Sequence, residues 1–160
     1  MTAEAGAPNG RTACTADELL IEARASLPRR PSPAEALAAQ ATGALLIDIR
    51  DHDQRRTCGL IPGALPLPRN ALEWRCDPTG QWRHPAVNGL NQHLILICQE
   101  GFQSSLAAAT LQRLGLVNAT DMDGGFAAWA AAGLPVIAQP TTGRDNPVTV
   151  TVTDHQPEFG

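Results

Sequence analysis

The chain contains a short apolar run, Leu94–Ile97, that is followed directly by a cysteine, a polar loop and a helical pattern. The loop at residues 99–105 contains a glycine and no large aliphatic side chain. Leu106 and Leu111 then recur at helical spacing before Gly115. A short apolar run bounded by turn residues is typical of a buried strand, and a helix placed after it is typical of a parallel sheet. This segment therefore predicts a strand, a loop and a helix in that order.

Other parts of the chain show the same alternation. Two capping-box patterns, Thr15–Glu18 and Ser32–Glu35, open helices. The first of these helices covers residues 15–26. The other candidates are strands at residues 44–49, 64–67 and 119–122 and helices at residues 103–114 and 126–131. Buried runs that alternate with helices predict an α/β domain with a mainly parallel central sheet and helices on both faces, which makes three layers. Ligands bind such sheets at the carboxyl ends of the strands.

The charge pattern excludes several classes of function. The 160 residues carry a net charge of −4, all twelve basic residues are arginine, and the chain has neither lysine nor tyrosine. The lack of lysine excludes Schiff-base chemistry and a Walker-type phosphate loop. The negative balance argues against nucleic-acid binding, and no apolar stretch is long enough to cross a membrane.

The cysteines and histidines are scattered along the chain. Cys14, Cys58, Cys76 and Cys98 show no Cys-x-x-Cys spacing, and no two histidines lie one helical turn apart. This spacing predicts neither a disulfide framework nor a metal site. Because the N-terminal residues include no apolar signal core, we expect a cytoplasmic protein.

Cys98 is the candidate nucleophile. A cysteine between a strand and a helix N-terminus faces the positive end of the helix dipole and unpaired backbone N–H groups. Such surroundings favour the thiolate and leave it partly exposed, as nucleophilic catalysis requires. The alternative is a buried strand cysteine that acts as a small hydrophobic residue. The polar, glycine-containing loop favours the nucleophile.

Five segments resemble a single domain of the rhodanese (sulfurtransferase) family. They are Leu46–Arg50, Gly59–Ala64, Cys98 with its loop, Asp123–Trp129 and Gly133–Val136. Their order and spacing agree over residues 30–137. We therefore place a rhodanese-like domain at residues 15–137, including the helix at 15–26. We expect residues 1–14 to form a disordered tail and residues 138–160 a tail or an edge strand, since residues 148–152 alternate like a strand.

The resemblance implies sulfur transfer through a persulfide. Rhodanese-like enzymes take a sulfane sulfur from thiosulfate or a persulfide onto the loop cysteine and pass it to a thiol or cyanide. Cys98 would be the nucleophile, and backbone N–H groups of the loop would bind substrate and persulfide. The implied loop residues are Gln99, Glu100, Gly101, Phe102, Gln103 and Ser104. No metal or organic cofactor is implied.

The implied partners are a small-molecule or protein persulfide donor and a thiol acceptor, with no nucleic acid and no membrane. We expect a monomer or a weak dimer.

The sequence departs from the commoner family pattern in its charges. The loop has Gln103 where an arginine is frequent and carries Glu100, and Leu60 replaces a histidine. An acidic loop repels a dianionic donor such as thiosulfate by about 1 kcal/mol. A persulfide donor is therefore at least as plausible. The candidate supporting cations in neighbouring loops are Arg50, Arg69 and Arg75, although Arg50 equally fits a salt bridge with Asp48 or Asp51.

Several roles stay open at this level. Gln103 or Ser104 caps the following helix or donates to the persulfide. Phe102 forms a wall at the pocket mouth, and Cys58 or Cys76 acts as a resolving thiol or has no function. Two other classes compete with the sulfurtransferase. A cysteine phosphatase needs an arginine six residues after the cysteine, where this chain has Ser104. A non-catalytic binding module would keep the fold and use it as a docking surface.

Overall fold

Four parallel strands form the central sheet of the computed structural model, which describes residues 12–140. The strands are β1 (Leu45–Asp48), β2 (Leu65–Pro66), β3 (Leu94–Ile97) and β4 (Ala119–Asp121). The helices are α1 (Ala16–Ser26), α2 (Pro33–Ala41), α3 (His52–Cys58), α4 (Leu72–Cys76), α5 (Gln103–Arg113) and α6 (Gly125–Ala131). A turn of 3-10 helix, Arg69–Ala71, precedes α4.

The strand order is β2-β1-β3-β4, so β1 and β3 are the central strands. Leu45 pairs with Leu94 and Asp48 with Ile97, which aligns the carboxyl ends of the two strands. Cys98 and Arg50 follow these ends directly or after one residue. The parallel α/β fold is confirmed, and it brings both residues to one edge of the sheet.

Side chains that alternate along β3 form two separate cores. Leu94 and Leu96 belong to a cluster with Leu111 of α5. Ile95 and Ile97 belong to a second cluster that contains Trp129 of α6. Because successive strand residues point to opposite faces, helices cover both faces of the sheet. Trp129 is fully buried, as expected for the residue that anchors the last helix.

Both predicted capping boxes form. The Thr15 and Ser32 hydroxyls accept hydrogen bonds from the backbone N–H groups of Glu18 and Glu35, whose side chains accept from the cap residues in return. Helix α1 packs against α5, so the N-terminal helix is part of the folded domain.

The sequence analysis did not predict α3, because its seven residues are polar and lack an apolar face. Asp51 begins this helix with a third capping box, in which its side chain accepts from the Gln54 N–H. Caps and charges satisfy the end groups of a short surface helix without apolar periodicity.

The predictions for the two ends of the chain concern residues that lie mostly outside the described range. Of the predicted N-terminal tail, residues 12–14 are exposed and irregular, and residues 1–11 lie outside the described part. The strand expected at residues 148–152 also lies outside it. Within residues 12–140, no helix is both long and apolar enough to cross a membrane.

Candidate active site

The Cys98 sulfur accepts hydrogen bonds from the backbone at the start of α5. Its Sγ atom accepts hydrogen bonds from the backbone N–H groups of Gly101, at 3.1 Å, and Ser104, at 3.4 Å. The residue before the helix, Phe102, makes no side-chain capping bond. Of the two alternatives for Gln103 and Ser104, no side-chain capping bond is seen, the sulfur accepts the N–H of the second helical residue, and the Ser104 hydroxyl lies 3.2 Å from the sulfur.

The loop reaches this shape through glycines. Gly101 has φ +84°, a left-handed conformation that glycine adopts without strain. A Cβ atom on Gly125 would lie 2.6 Å from the carbonyl oxygen of Cys98 and 2.7 Å from the nitrogen of Gly101. The start of α6 therefore touches the backbone of the loop, and only glycine fits there.

Cys98 lines an open cavity of about 340 Å³. Its exposed fraction is 6%, which is lower than the sequence analysis predicted for a reactive cysteine. The other residues that line the cavity are Gln54, Gln99, Glu100, Phe102 and Gln103. Glu100 is exposed, and 56% of Phe102 is exposed, in agreement with a wall at the pocket mouth.

A polar network lies beneath the sulfur. The thiol donates to Ser104 Oγ at 3.2 Å, and the Ser104 hydroxyl donates to Asp121 at 2.8 Å. Asp121 also accepts from the Ser105 hydroxyl at 2.9 Å and from two nitrogens of Arg30, at 2.7 and 3.1 Å. The Asp121 side chain is completely buried. Its hydrogen bond to Arg30 raises the pKa of that guanidinium.

Two arginines that the sequence analysis did not select contact the backbone of the loop. Arg24 and Arg30 both donate to the carbonyl oxygen of Gly101, at 2.8 and 3.2 Å. Arg24 lies on α1, and Arg30 lies between α1 and α2. No local pattern marks them, because the contacts join residues more than 70 positions apart.

Arg50 is placed in a structural ion pair. Its guanidinium is buried, donates to both carboxylate oxygens of Asp48 and to the Gly59 carbonyl, and lies 3.8 Å from the centre of the Phe126 ring. It also donates to the Gln99 side chain at 3.3 Å. This arrangement matches the salt-bridge interpretation, and Arg50 reaches the loop only through that glutamine.

The other two predicted cations contact different groups. Arg69 pairs with Glu73 at 2.6 Å, and Arg75 donates to the Trp82 carbonyl at 2.7 Å. None of the hydrogen bonds of Arg69 or Arg75 within residues 12–140 reaches the loop. The arginines that contact the loop backbone directly are Arg24 and Arg30.

The two candidate resolving thiols differ in their surroundings. Cys76 is completely buried in the core, and burial raises its pKa to about 12. A thiol in that state does not serve as a nucleophile. Cys58 is exposed at the end of α3, and its sulfur lies 4.0 Å from the amide nitrogen of the Gln99 side chain. Of these two thiols, Cys58 adjoins the active loop.

The family model for the rhodanese-like domain matches residues 32–132, which is more than half of the chain. The protein belongs to the rhodanese-like family. The matched range contains β1, Cys98 and its loop, and α6. It does not contain α1, Arg24 or Arg30.

Curated relatives of this rhodanese-like protein are named as sulfurtransferases. A sulfurtransferase of Allochromatium vinosum is 31% identical over 94 residues, which cover 59% of this chain and 78% of the relative. The thiosulfate sulfurtransferase GlpE of Pseudomonas entomophila is 35% identical over 101 residues, which cover 63% of this chain and 84% of the relative. These names support a sulfurtransferase family.

A solved structure from Rhodopseudomonas palustris CGA009, of a protein of unknown function described as a possible tyrosine phosphatase, is also similar. It is 32% identical, has a TM-score of 0.72, and covers 82% of this chain and 100% of its own. The human single-domain sulfurtransferase is 25% identical with a TM-score of 0.52, covering 64% of this chain and 97% of its own.

Proposed function

We propose that this rhodanese-like protein is a sulfurtransferase that carries a sulfane sulfur on Cys98. The observation that carries the proposal is the Cys98 sulfur, which accepts backbone N–H groups from Gly101 and Ser104 in a residue that lines an open cavity. Backbone donors that converge on one sulfur atom stabilise an anion there without a metal or a cofactor. Both the thiolate and the persulfide anion are such anions.

The reaction has two halves. In the first, the Cys98 thiolate attacks the outer sulfur of the donor, a new sulfur–sulfur bond forms, and the donor's own sulfur–sulfur bond breaks. Thiosulfate would release sulfite, and a persulfide donor would release a thiolate. In the second half, cyanide or a thiol attacks the terminal sulfur of the persulfide, and the Cys98 thiolate is regenerated. Electron pairs balance in both halves, so no external oxidant is needed.

The negative charge of Glu100 at the cavity affects which sulfur donor is favoured. Glu100 is exposed and lines the cavity with Cys98. Its carboxylate repels a dianion such as thiosulfate more than it repels a monoanionic persulfide. The proposal therefore includes both donors and expects the persulfide to load Cys98 faster.

A phosphatase has less support. The sixth residue after Cys98 is Ser104, whose hydroxyl donates to Asp121, and no arginine of the chain lies between them. A phosphate dianion in the cavity would thus meet Glu100 without a bidentate guanidinium from the loop. The remaining alternative is a binding module that does not use the thiol.

The test is the intact mass of the protein after incubation with thiosulfate or with a low-molecular-weight persulfide, followed by removal of the donor. We expect the mass to increase by one sulfur atom, and we expect Cys98→Ser to show no increase. Cys58→Ser is the matched control, because its thiol is exposed beside the same loop, and it should load like the wild type. If neither donor loads Cys98, the binding module is the better assignment.

A turnover assay separates the enzyme classes. Conversion of cyanide to thiocyanate by the wild type and not by Cys98→Ser supports the sulfurtransferase. Hydrolysis of para-nitrophenyl phosphate that depends on Cys98, without sulfur uptake, would support the phosphatase instead.

A further inference from the structure

Two guanidinium groups bind the outer side of the active loop. Arg24 Nη2 and Arg30 Nη2 both donate to the carbonyl oxygen of Gly101, at 2.8 and 3.2 Å. A backbone carbonyl oxygen has two lone pairs, so the two guanidinium groups use its full capacity as an acceptor. Both arginines precede the segment matched by the family model.

Gly101 joins this contact to the sulfur, because its N–H donates to Cys98 Sγ at 3.1 Å while its carbonyl oxygen accepts from both arginines. The Gly101–Phe102 peptide is trans, so the Phe102 N–H points opposite to the carbonyl oxygen that the arginines hold. No acceptor within residues 12–140 pairs with this N–H. Cations on the carbonyl side polarise the peptide and make its N–H a stronger donor to an anion.

The two arginines differ in whether a carboxylate pairs with them. Arg30 forms ion pairs with Asp121 at 2.7 Å and with Asp123 at 2.9 Å. Arg24 forms no salt bridge within residues 12–140. Its other contacts are a hydrogen bond from Nε to Ser105 Oγ at 3.1 Å and the face of the Phe102 ring at 5.8 Å. Arg24 is therefore the guanidinium at this carbonyl that has no carboxylate partner within the described residues, whereas the single charge of Arg30 is paired with two carboxylates.

We propose that Arg24 is a positioning residue that supplies, from helix α1, the positive charge that the loop lacks. It acts on the Cys98 thiolate, and on the persulfide if the proposed function holds, through Gly101, whose carbonyl oxygen accepts from Arg24 and whose N–H donates to the sulfur. The pair of Arg30 and Asp121 holds the same carbonyl and the Ser104 and Ser105 hydroxyls in place. The N-terminal helix is thus a working part of the anion site, and the site favours anionic sulfur in spite of Glu100.

The test compares Arg24→Met, which removes the charge and keeps an unbranched side chain, with Arg24→Lys, which keeps the charge. Arg83→Met is the matched control, since it makes the same change in net charge at an exposed residue. The readout is the alkylation rate of Cys98 by neutral iodoacetamide as a function of pH, followed on the Cys98 peptide by mass spectrometry. Thermal melting of each variant verifies the fold.

We expect Arg24→Met to move the midpoint of the rate profile up by about 0.5 to 1 pH unit and to slow alkylation at pH 7 about three- to tenfold. Arg24→Lys should recover more than half of the shift, and Arg83→Met should show none. The proposal is overturned if Arg24→Met leaves the midpoint unchanged, if the Arg83→Met control shifts it equally, or if Arg24→Lys and Arg24→Met shift it equally. The last result would indicate a clamp between α1 and α5 that is independent of charge.

The alkylation profile does not require sulfur transfer. If the wild type takes up no sulfur but Arg24→Met shifts the profile, the proposed function fails and the assignment of Arg24 stands. If the wild type loads sulfur and Arg24→Met has the wild-type profile, the assignment of Arg24 fails alone.

Discussion

At the scale of single residues, the chain contains two buried cysteines with opposite surroundings. The Cys98 sulfur accepts two backbone N–H groups at the start of a helix. The Cys76 sulfur lies in the apolar core, where burial and, to a smaller extent, the negative charge of Glu73 raise its pKa to about 12. The same functional group thus accepts backbone N–H groups beside an open cavity at one position and is kept neutral in the core at the other.

This contrast predicts how stability depends on pH. The folded-state pKa of Cys76 lies above the ordinary value of 9.0 that it regains on unfolding. Its contribution is therefore complete below pH 9, and the free energy of unfolding falls above pH 9 by up to about 1.4 kcal/mol per pH unit. The chain has no lysine or tyrosine, so few other side chains titrate in this range. Urea unfolding in the presence of a reductant, from pH 8.5 to 10.5, measures the slope.

Cys76→Ala should remove most of that slope, although its core cavity lowers stability at every pH. Cys14→Ala is the control, because this thiol is exposed and should leave the slope unchanged. Equal slopes for Cys76→Ala and the wild type would contradict the prediction.

At the scale of elements, the loop is shaped by the start of helix α6 as well as by its own sequence. Phe126 and Ala127 donate their backbone N–H groups to the carbonyl oxygens of Cys98 and Gln99, at 2.8 and 2.9 Å. Gly125 permits this approach, because any Cβ there would collide with the loop backbone. The Asp123–Trp129 segment, which the sequence analysis used for the family resemblance, therefore also supports the active loop.

Gly125→Ala tests this contact. The added carbon lies within 2.8 Å of three backbone atoms, so the loop must move. We expect a loss of about 2 kcal/mol or more in the free energy of unfolding and at least a tenfold loss of the alkylation rate of Cys98. Gly133→Ala is the matched control, since Gly133 has φ +69° but no atom within 4 Å of its Cβ position.

The Gly133→Ala control should cost about 1 kcal/mol of stability through backbone strain alone and leave the reactivity of Cys98 intact. Equal reactivity in both variants would show that α6 does not position the loop.

At the scale of the whole molecule, the charge of the protein opposes its proposed anionic donor. The net charge is −4, and Glu100 places one carboxylate at the cavity. Helix α1 and Arg24 bring a positive charge to the loop from the other side. The rate of loading thus depends on where the charges lie and not only on their sum.

Glu100→Gln separates the local charge from the total charge. It should raise the second-order rate of sulfur loading from thiosulfate about three- to tenfold at low salt, and the gain should shrink at 0.5 M salt as charges are screened. Asp17→Asn removes the same charge at an exposed residue of α1 and should change the rate by less than about twofold. Equal effects of the two substitutions would indicate that only the net charge matters.

The structure agrees with the sequence-based prediction where local signals are strong. The apolar runs of β1 and β3, the capping boxes of Thr15 and Ser32 and the glycine-containing loop after Cys98 all formed as expected. Helix α3 was missed because polar caps stabilise it and no apolar periodicity marks it. Arg69 and Arg75, the candidate cations in neighbouring loops, pair with Glu73 and the Trp82 carbonyl, because a loop's place in the sequence does not indicate which way its side chains point.

By itself, the sequence determined the type and order of most elements and the position of the nucleophile candidate, since these depend on hydrophobic periodicity, caps and turns within a few residues. Only the tertiary structure decided which charges serve the loop. Arg24 and Arg30 reach Gly101 because α1 packs on α5, and Arg50 is occupied by Asp48 because both lie at the end of β1. Such contacts join distant segments, and their free energy depends on packing geometry that no local pattern encodes.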